Sequence, residues 1–151
     1  MEATSLVADA RTTLRASSTL GREFAVANAL SADEATCWTS AQGSPQQLRL
    51  QFGRAVDVSQ LQLMFQGGFA GQDVAVHVRR PTGDGRPGTW ELETAVSIEP
   101  EDSNALQRFP CELRGVDALS LTFARSSDLY GRVVVYRLDV LGNEAEGSPR
   151  R

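Results

Sequence analysis

Apolar and polar residues alternate with a period of two through much of this chain, as in strands that bury one face. Leu48, Leu50 and Phe52 alternate with Arg49 and Gln51, and Gly53 ends that run. Leu61, Leu63 and Phe65 alternate with Gln60, Gln62 and Gln66, and Gly67-Gly68 follows. Val74, Val76 and Val78 carry the pattern to Pro81, and Trp90, Leu92 and Val96 resume it after the Gly- and Pro-rich loop Thr82–Gly88. Leu119, Leu121 and Phe123 alternate up to a Ser126-Ser127-Asp128 turn. The last run, Arg132 to Leu141, is the longest β-forming stretch. Val134, Tyr136, Leu138 and Val140 fall on one face of it and are expected to meet the core. Val133, Val135 and Leu141 fall on the other, interrupted by Arg137 and Asp139.

Short strands between turns predict an all-β fold, an antiparallel sandwich or barrel, rather than βαβ units. One short helix is expected over Arg22 to Leu30, with Phe24 and Leu30 turned inward. Residues 1–142 read as one domain, and 143–151 as a flexible tail that nothing anchors after Glu144.

Charge and composition narrow the function. A chain of 151 residues with net charge −4 holds one sizeable core and has no general attraction for phosphate backbones, so nucleic acid is not expected as a direct partner. Met1 to Leu6 lacks the basic and apolar regions of a secretory signal. No run approaches the roughly 20 apolar residues of a membrane span. Cys37 and Cys111 are therefore expected to be reduced thiols inside a cell, although an even cysteine count leaves an extracellular reading open.

The residues that carry chemistry are sparse. His77 is the sole histidine, and alternation with Val76 and Val78 points it to solvent. No nucleophile motif accompanies it, and two distant cysteines with one histidine cannot complete a structural zinc site. The Gly83–Gly88 loop lacks the Gly-Lys-Ser/Thr ending of a phosphate loop and reads as a hairpin turn. Glu99, Glu101 and Asp102 form an acidic cluster, better explained as a turn set by Pro100, Asp102, Ser103 and Asn104 than as an acid/base pair. An enzyme is not expected.

Two loops suit binding. Gln66 to Gly71 carries Phe69 at its tip, and Ser126 to Arg132 carries Tyr130 and Arg132, residue types favoured at interface hot spots. Phe69 and Tyr130 could equally cap the ends of the core. Asp33, Glu34 and Thr36, before Cys37-Trp38, offer oxygen ligands of the kind calcium takes, or a turn beside a buried tryptophan.

The early stretch Leu30 to Trp38 and the late stretch Tyr130 to Tyr136 resemble the discoidin, galactose-binding-like jelly roll. With Gln60 to Phe69, Pro100 to Pro110 and the closing strand, the chain more closely resembles the nuclear receptor 2C2-associated protein family, small intracellular discoidin-like proteins. The resemblance implies a jelly-roll sandwich of two antiparallel sheets, no enzymatic activity and no required cofactor. It implies a protein partner, a nuclear receptor or the other subunits of a larger complex such as a ciliary transport particle. The location would then be cytoplasm, nucleus or cilium. Partner contacts are expected at Gln66, Phe69, Tyr130 and Arg132. Discoidin-like domains often hold calcium, here at Asp33, Thr36 and Glu144, although the family pattern has a carboxylate at the position of Ser31. A glycan- or ligand-binding module with such a calcium-supported loop is the alternative class. Fold likeness alone does not choose among these functions.

Overall fold

The computed structural model describes residues 2–31, 33, 35–84 and 86–145. Glu34, Gly85 and tail residues 146–151 lie outside the described residues. Among the described residues eight strands follow one another: β1 (Thr4–Ser5), β2 (Thr13–Ala16), β3 (Trp38–Thr39), β4 (Gln46–Phe65), β5 (Gly71–Arg79), β6 (Trp90–Leu92), β7 (Leu106–Ser126) and β8 (Val134–Glu144). All pairings are antiparallel, along the path β1-β8-β4-β7-β5-β6, with β2 on β4 and β3 on β8.

The register resolves that path into the two expected layers. In one, the first part of β4 (Gln46 to Gln51) lies between β2 and the last part of β7 (Ala118 to Phe123), with β5 and β6 beyond. In the other, the last part of β4 (Gln60 to Met64) lies between β8 and the first part of β7 (Leu106 to Pro110). β4 and β7 therefore belong to both layers, and three register shifts between Gln51 and Gln60 mark where they bend across. Bulges of this kind let a strand turn a corner at the cost of a local break in its ladder.

Gly53 sits at that bend with φ +71°, where a Cβ would stand 2.9 Å from the Arg11 carbonyl oxygen. The residue expected to end a strand instead lets a longer one turn. Beside it Arg54, with a side chain only 5% exposed, donates from Nη1 to the Phe52 carbonyl (2.7 Å) and to Thr12 Oγ1 (3.2 Å). Its Nη2 lies 3.6 Å from Asp9, and its Nε 3.4 Å from Glu144. The bent end is thus sealed by both terminal segments of the domain.

The alternating residues predicted in β4, β5 and β7 do fill the space between the layers, where Phe65 and Phe123 meet edge to face with centroids 5.8 Å apart. β8 departs from the expected alternation. A register shift between Met64 and Phe65 displaces it by one residue near Tyr136. Val133 and Val135 join the main core cluster with Leu138 and Val140, while Val134 is buried outside that cluster and Tyr136 is half-buried. β8 also runs past Gly142 to Glu144, and the Ala145 amide donates to the Ala55 carbonyl at 3.0 Å. The helical segment is two consecutive 3₁₀ turns, Arg22–Phe24 and Val26–Leu30, broken at Ala25. Ala29 is its buried residue, while Phe24 and Leu30 are half-buried.

The faces assigned to β7 make a direct prediction. Phe123→Ala removes a buried ring from between the layers and should destabilise the fold by about 3–5 kcal/mol. Thr122→Ala, one residue earlier on the outer face, should lose only its bond from Gln47 (3.2 Å), about 1 kcal/mol. Urea unfolding measures both, and equal losses would contradict the assignment.

Candidate interaction site

Opposite the bent end, β4 finishes at Phe65, β5 begins at Gly71, β7 finishes at Ser126 and β8 begins at Val134. The two connecting loops, 66–70 and 127–133, are therefore neighbours. Backbone bonds tie Gln66 N to Val134 O (3.1 Å), Val134 N to Phe69 O (3.1 Å) and Ser127 N to Ala70 O (2.9 Å). Within the first loop the Phe69 amide donates to the Gln66 carbonyl (2.9 Å). Asn104 Oδ1 accepts from the Gly67 amide (2.6 Å) and Asp102 Oδ1 from the Gly68 amide (2.8 Å). Of the three side chains expected to bond within an acidic turn, only Ser103 does so, its Oγ accepting from the Ala105 amide (3.0 Å), while Asp102 and Asn104 brace the neighbouring loop instead.

The second loop is pinned by Asp128. Its Oδ2 accepts from both the backbone amide and Nε of Arg132, each at 3.0 Å, and its carbonyl accepts from the Gly131 amide at 3.1 Å. Ser126 Oγ accepts from the Asp128 amide (3.0 Å) and donates to the Arg132 carbonyl (2.6 Å). Gly131, at φ +82°, closes this turn, and a Cβ on it would stand 2.8 Å from the Gly43 backbone. The Arg132 guanidinium beside Asp128 holds the Asp128 carboxyl below the usual carboxylate range. Asp128 in turn raises the Arg132 pKa.

So held, the guanidinium lies 5.1 Å from the Phe69 ring centroid and 6.0 Å from that of Tyr130. The structure therefore brings together Phe69, Tyr130 and Arg132. Phe69 is half-buried beneath the arginine, whereas Tyr130 is 59% exposed and is not a cap on the core. Gln66 stands at the far side of its loop, where Oε1 accepts from the Tyr136 hydroxyl at 3.4 Å and helps line a separate shallow hollow with Met64 and Asn104. Leu129, 89% exposed beside Tyr130, was not legible as a site residue, because turn residues are normally judged by their polar members. Its one signal is an aliphatic side chain inside a Ser/Asp/Gly turn.

The other candidates separate. Asp33 and Thr36 do share a turn, in which Asp33 Oδ1 accepts from the Ala35 amide (2.9 Å) and Thr36 Oγ1 donates to the Asp33 carbonyl (3.1 Å). Glu144 is carried by β8 to the bent end, where Oε1 accepts from Arg11 (2.5 Å) and faces Arg54. A carboxylate between two guanidiniums is a poor cation ligand, so the set Asp33, Thr36 and Glu144 does not fit calcium, which takes six or more oxygens. Among the described residues, no group of three or more His, Cys, Asp or Glu is placed to hold a metal ion. His77 lies half-buried on the outer face of β5, between Leu92 and Ser120. Cys37 and Cys111 are free thiols, and burial pushes Cys111 up to about 11, away from nucleophilic use at neutral pH.

Comparison with solved structures defines the class. A chitosan-binding module from a Paenibacillus sp. chitosanase/glucanase is similar over 92% of this chain and 99% of its own, with TM-score 0.73 and 21% identity. The F5/8 type C domain of a Bacteroides fragilis protein is similar over 94% and 97%, with TM-score 0.75 and 10% identity. A family 32 carbohydrate-binding module from C. perfringens, solved with galactose, gives TM-score 0.69 at 17% identity over 92% and 98%. At such identities the likeness speaks for the fold alone, a discoidin-like, galactose-binding-like jelly roll. No family model matches the chain. Nuclear receptor 2C2-associated protein from Homo sapiens is 43% identical over 136 residues, covering 88% of this chain and 93% of that protein. The Danio rerio protein of the same name is 37% identical over 134 residues, covering 86% and 90%. The chain belongs to the nuclear receptor 2C2-associated protein family.

Asp128 supplies the test of this geometry. Asp128→Ala should cost about 1–2 kcal/mol by removing charge-assisted bonds to the turn. Because its folded pKa is lowered, the carboxylate's contribution is complete above its unfolded value, about 4, and is lost as pH falls through the lower folded value. Hydrogen exchange should show protection of the Arg132 amide falling on acidification below about pH 4. Protection that persists there, or in Asp128→Ala, would contradict the pin.

Proposed function

We propose that this protein is a non-enzymatic adaptor that docks a protein partner through the loops at 66–69 and 128–132. The observation that carries this reading is the exposed pair Leu129 and Tyr130, held on a turn that Asp128 and Gly131 keep rigid. An apolar pair on a rigid mount loses little conformational entropy on binding, and tyrosine and arginine are the side chains on which interface energy concentrates. Phe69 and Arg132 are the support on which Tyr130 rests, with Gln66 at the margin. The partner is a nuclear receptor of the kind that names the relatives, and the setting is the cytoplasm or nucleus.

Glycan binding has less support at this end. A sugar site needs an open aromatic face and free polar donors. Here the Phe69 ring faces Arg132, and that guanidinium is already committed to Asp128. Millimolar calcium should leave the melting temperature unchanged, and a clear rise would restore the metal-supported reading.

Pull-down of nuclear receptor 2C2 tests the proposal. Tyr130→Ala should weaken the complex by about 2 kcal/mol, roughly thirty-fold, with Leu129→Ser acting in the same direction. Thermal stability should hold in both variants, since both side chains are exposed. Full binding by both variants, or unfolding of Tyr130→Ala, would remove the site.

A further inference from the structure

The outer face of the β2-β4-β7-β5-β6 layer has a charge pattern that the loop site does not explain. The register sets three cross-strand rows on it. One reads Arg15, Arg49, Ser120, His77, Leu92; the next Thr13, Gln51, Ala118, Arg79, Trp90; the third Gln47, Thr122, Ala75. The chain has 19 acidic residues and a net charge of −4, yet none of the acids falls in these rows.

Arg79 is satisfied by Asp117 at the rim, 3.2 Å away. Arg15 and Arg49 have no such partner among the described residues, and they stand directly opposite one another on adjacent antiparallel strands. Like charges in that position repel and destabilise a sheet. Arg49 reaches only the Gln47 amide oxygen, at 3.3 Å, while its guanidinium lies 4.9 Å from the Trp90 ring centroid. Its Nε is buried and makes no hydrogen bond. Neither does the hydroxyl of its row neighbour Ser120, which is 1% exposed. Buried polar atoms are rarely left so. The face thus holds two neighbouring arginines that no carboxylate among the described residues neutralises, beside the exposed Leu92 and a half-buried Trp90 over which Arg49 and Arg79 lie.

We infer that this face is a second docking surface, for an acidic segment of a protein partner. Carboxylates of such a segment match the Arg15–Arg49 pair, and its apolar side chains match Trp90 and Leu92. A peptide suits the face better than a nucleic acid does, because two neighbouring arginines are too few to track a long phosphate backbone, and Arg49 and Arg79 already lie over the Trp90 ring, at 4.9 and 5.5 Å, where a base would stack.

Fluorescence anisotropy of labelled decaglutamate, decalysine and a ten-nucleotide oligothymidylate, at low and physiological salt, tests the inference. Decaglutamate should bind, weaken with salt and exceed the other two. Arg15→Glu should cut its affinity by about ten-fold or more. The same variant pairs the new carboxylate with Arg49, so its melting temperature should hold or rise by about 1–3 °C. No binding of decaglutamate, or unchanged binding by Arg15→Glu, would overturn the inference. A melting temperature lowered in Arg15→Glu would remove the unpaired-cation premise. Oligothymidylate bound as tightly as decaglutamate would assign the face to phosphate and overturn the peptide.

Discussion

The architecture depends on one antiparallel pairing, β4 with β7, that has to serve both layers. Each strand crosses from one layer to the other at the same end, so the pair behaves as a single bent ribbon with the core inside the bend. This has two consequences. The bent end must accommodate a break in the ladder, and it does so with Gly53 and with Arg54, whose guanidinium is surrounded by Phe52, Thr12, Asp9 and Glu144. A charge so buried needs opposite charge close by, which binds both terminal segments to the bend. At the other end, strand termini from both layers open side by side, and the edge-to-face contact of Phe65 with Phe123 joins the layers beneath them. The loops that carry the candidate site are short crossings over a closed core, tied to each other by backbone hydrogen bonds.

Much of this was legible from residue pattern. Leu48 to Phe52, Leu61 to Phe65, Val76 with Val78, and Leu119 to Phe123 were read as inward-facing and are so. Strand lengths were not legible. Gly53 looks like a terminator, and Pro110 and Gly115 lie inside β7, because local punctuation cannot show that a bend is stabilised by a distant arginine. The slip at Tyr136 was hidden for the same reason, since it is a property of the pairing with β4 and not of β8 alone. β1 and β2, two and four residues long, are too short to show a period.

Residue type singled out Phe69, Tyr130 and Arg132 as candidates, and the structure brings them together. It was insufficient for Asp128, which reads as a generic turn residue until Arg132 is placed beside it. It was also insufficient for Leu129, whose exposure depends on the turn being held open. Glu144 shows the opposite failure. A lone acidic residue near the end of the domain invites a metal, but the unusual burial of Arg54 decides where that carboxylate goes.

In the proposed function the loop end, and not the bent end, meets the partner. Hydrogen-exchange footprinting of the chain with and without nuclear receptor 2C2 tests it most directly. Added protection on binding is expected at residues 66–69 and 127–132, with the bend around Gly53 and Arg54 unchanged. Added protection confined to the bend, with both loops exchanging as in the free chain, would contradict it.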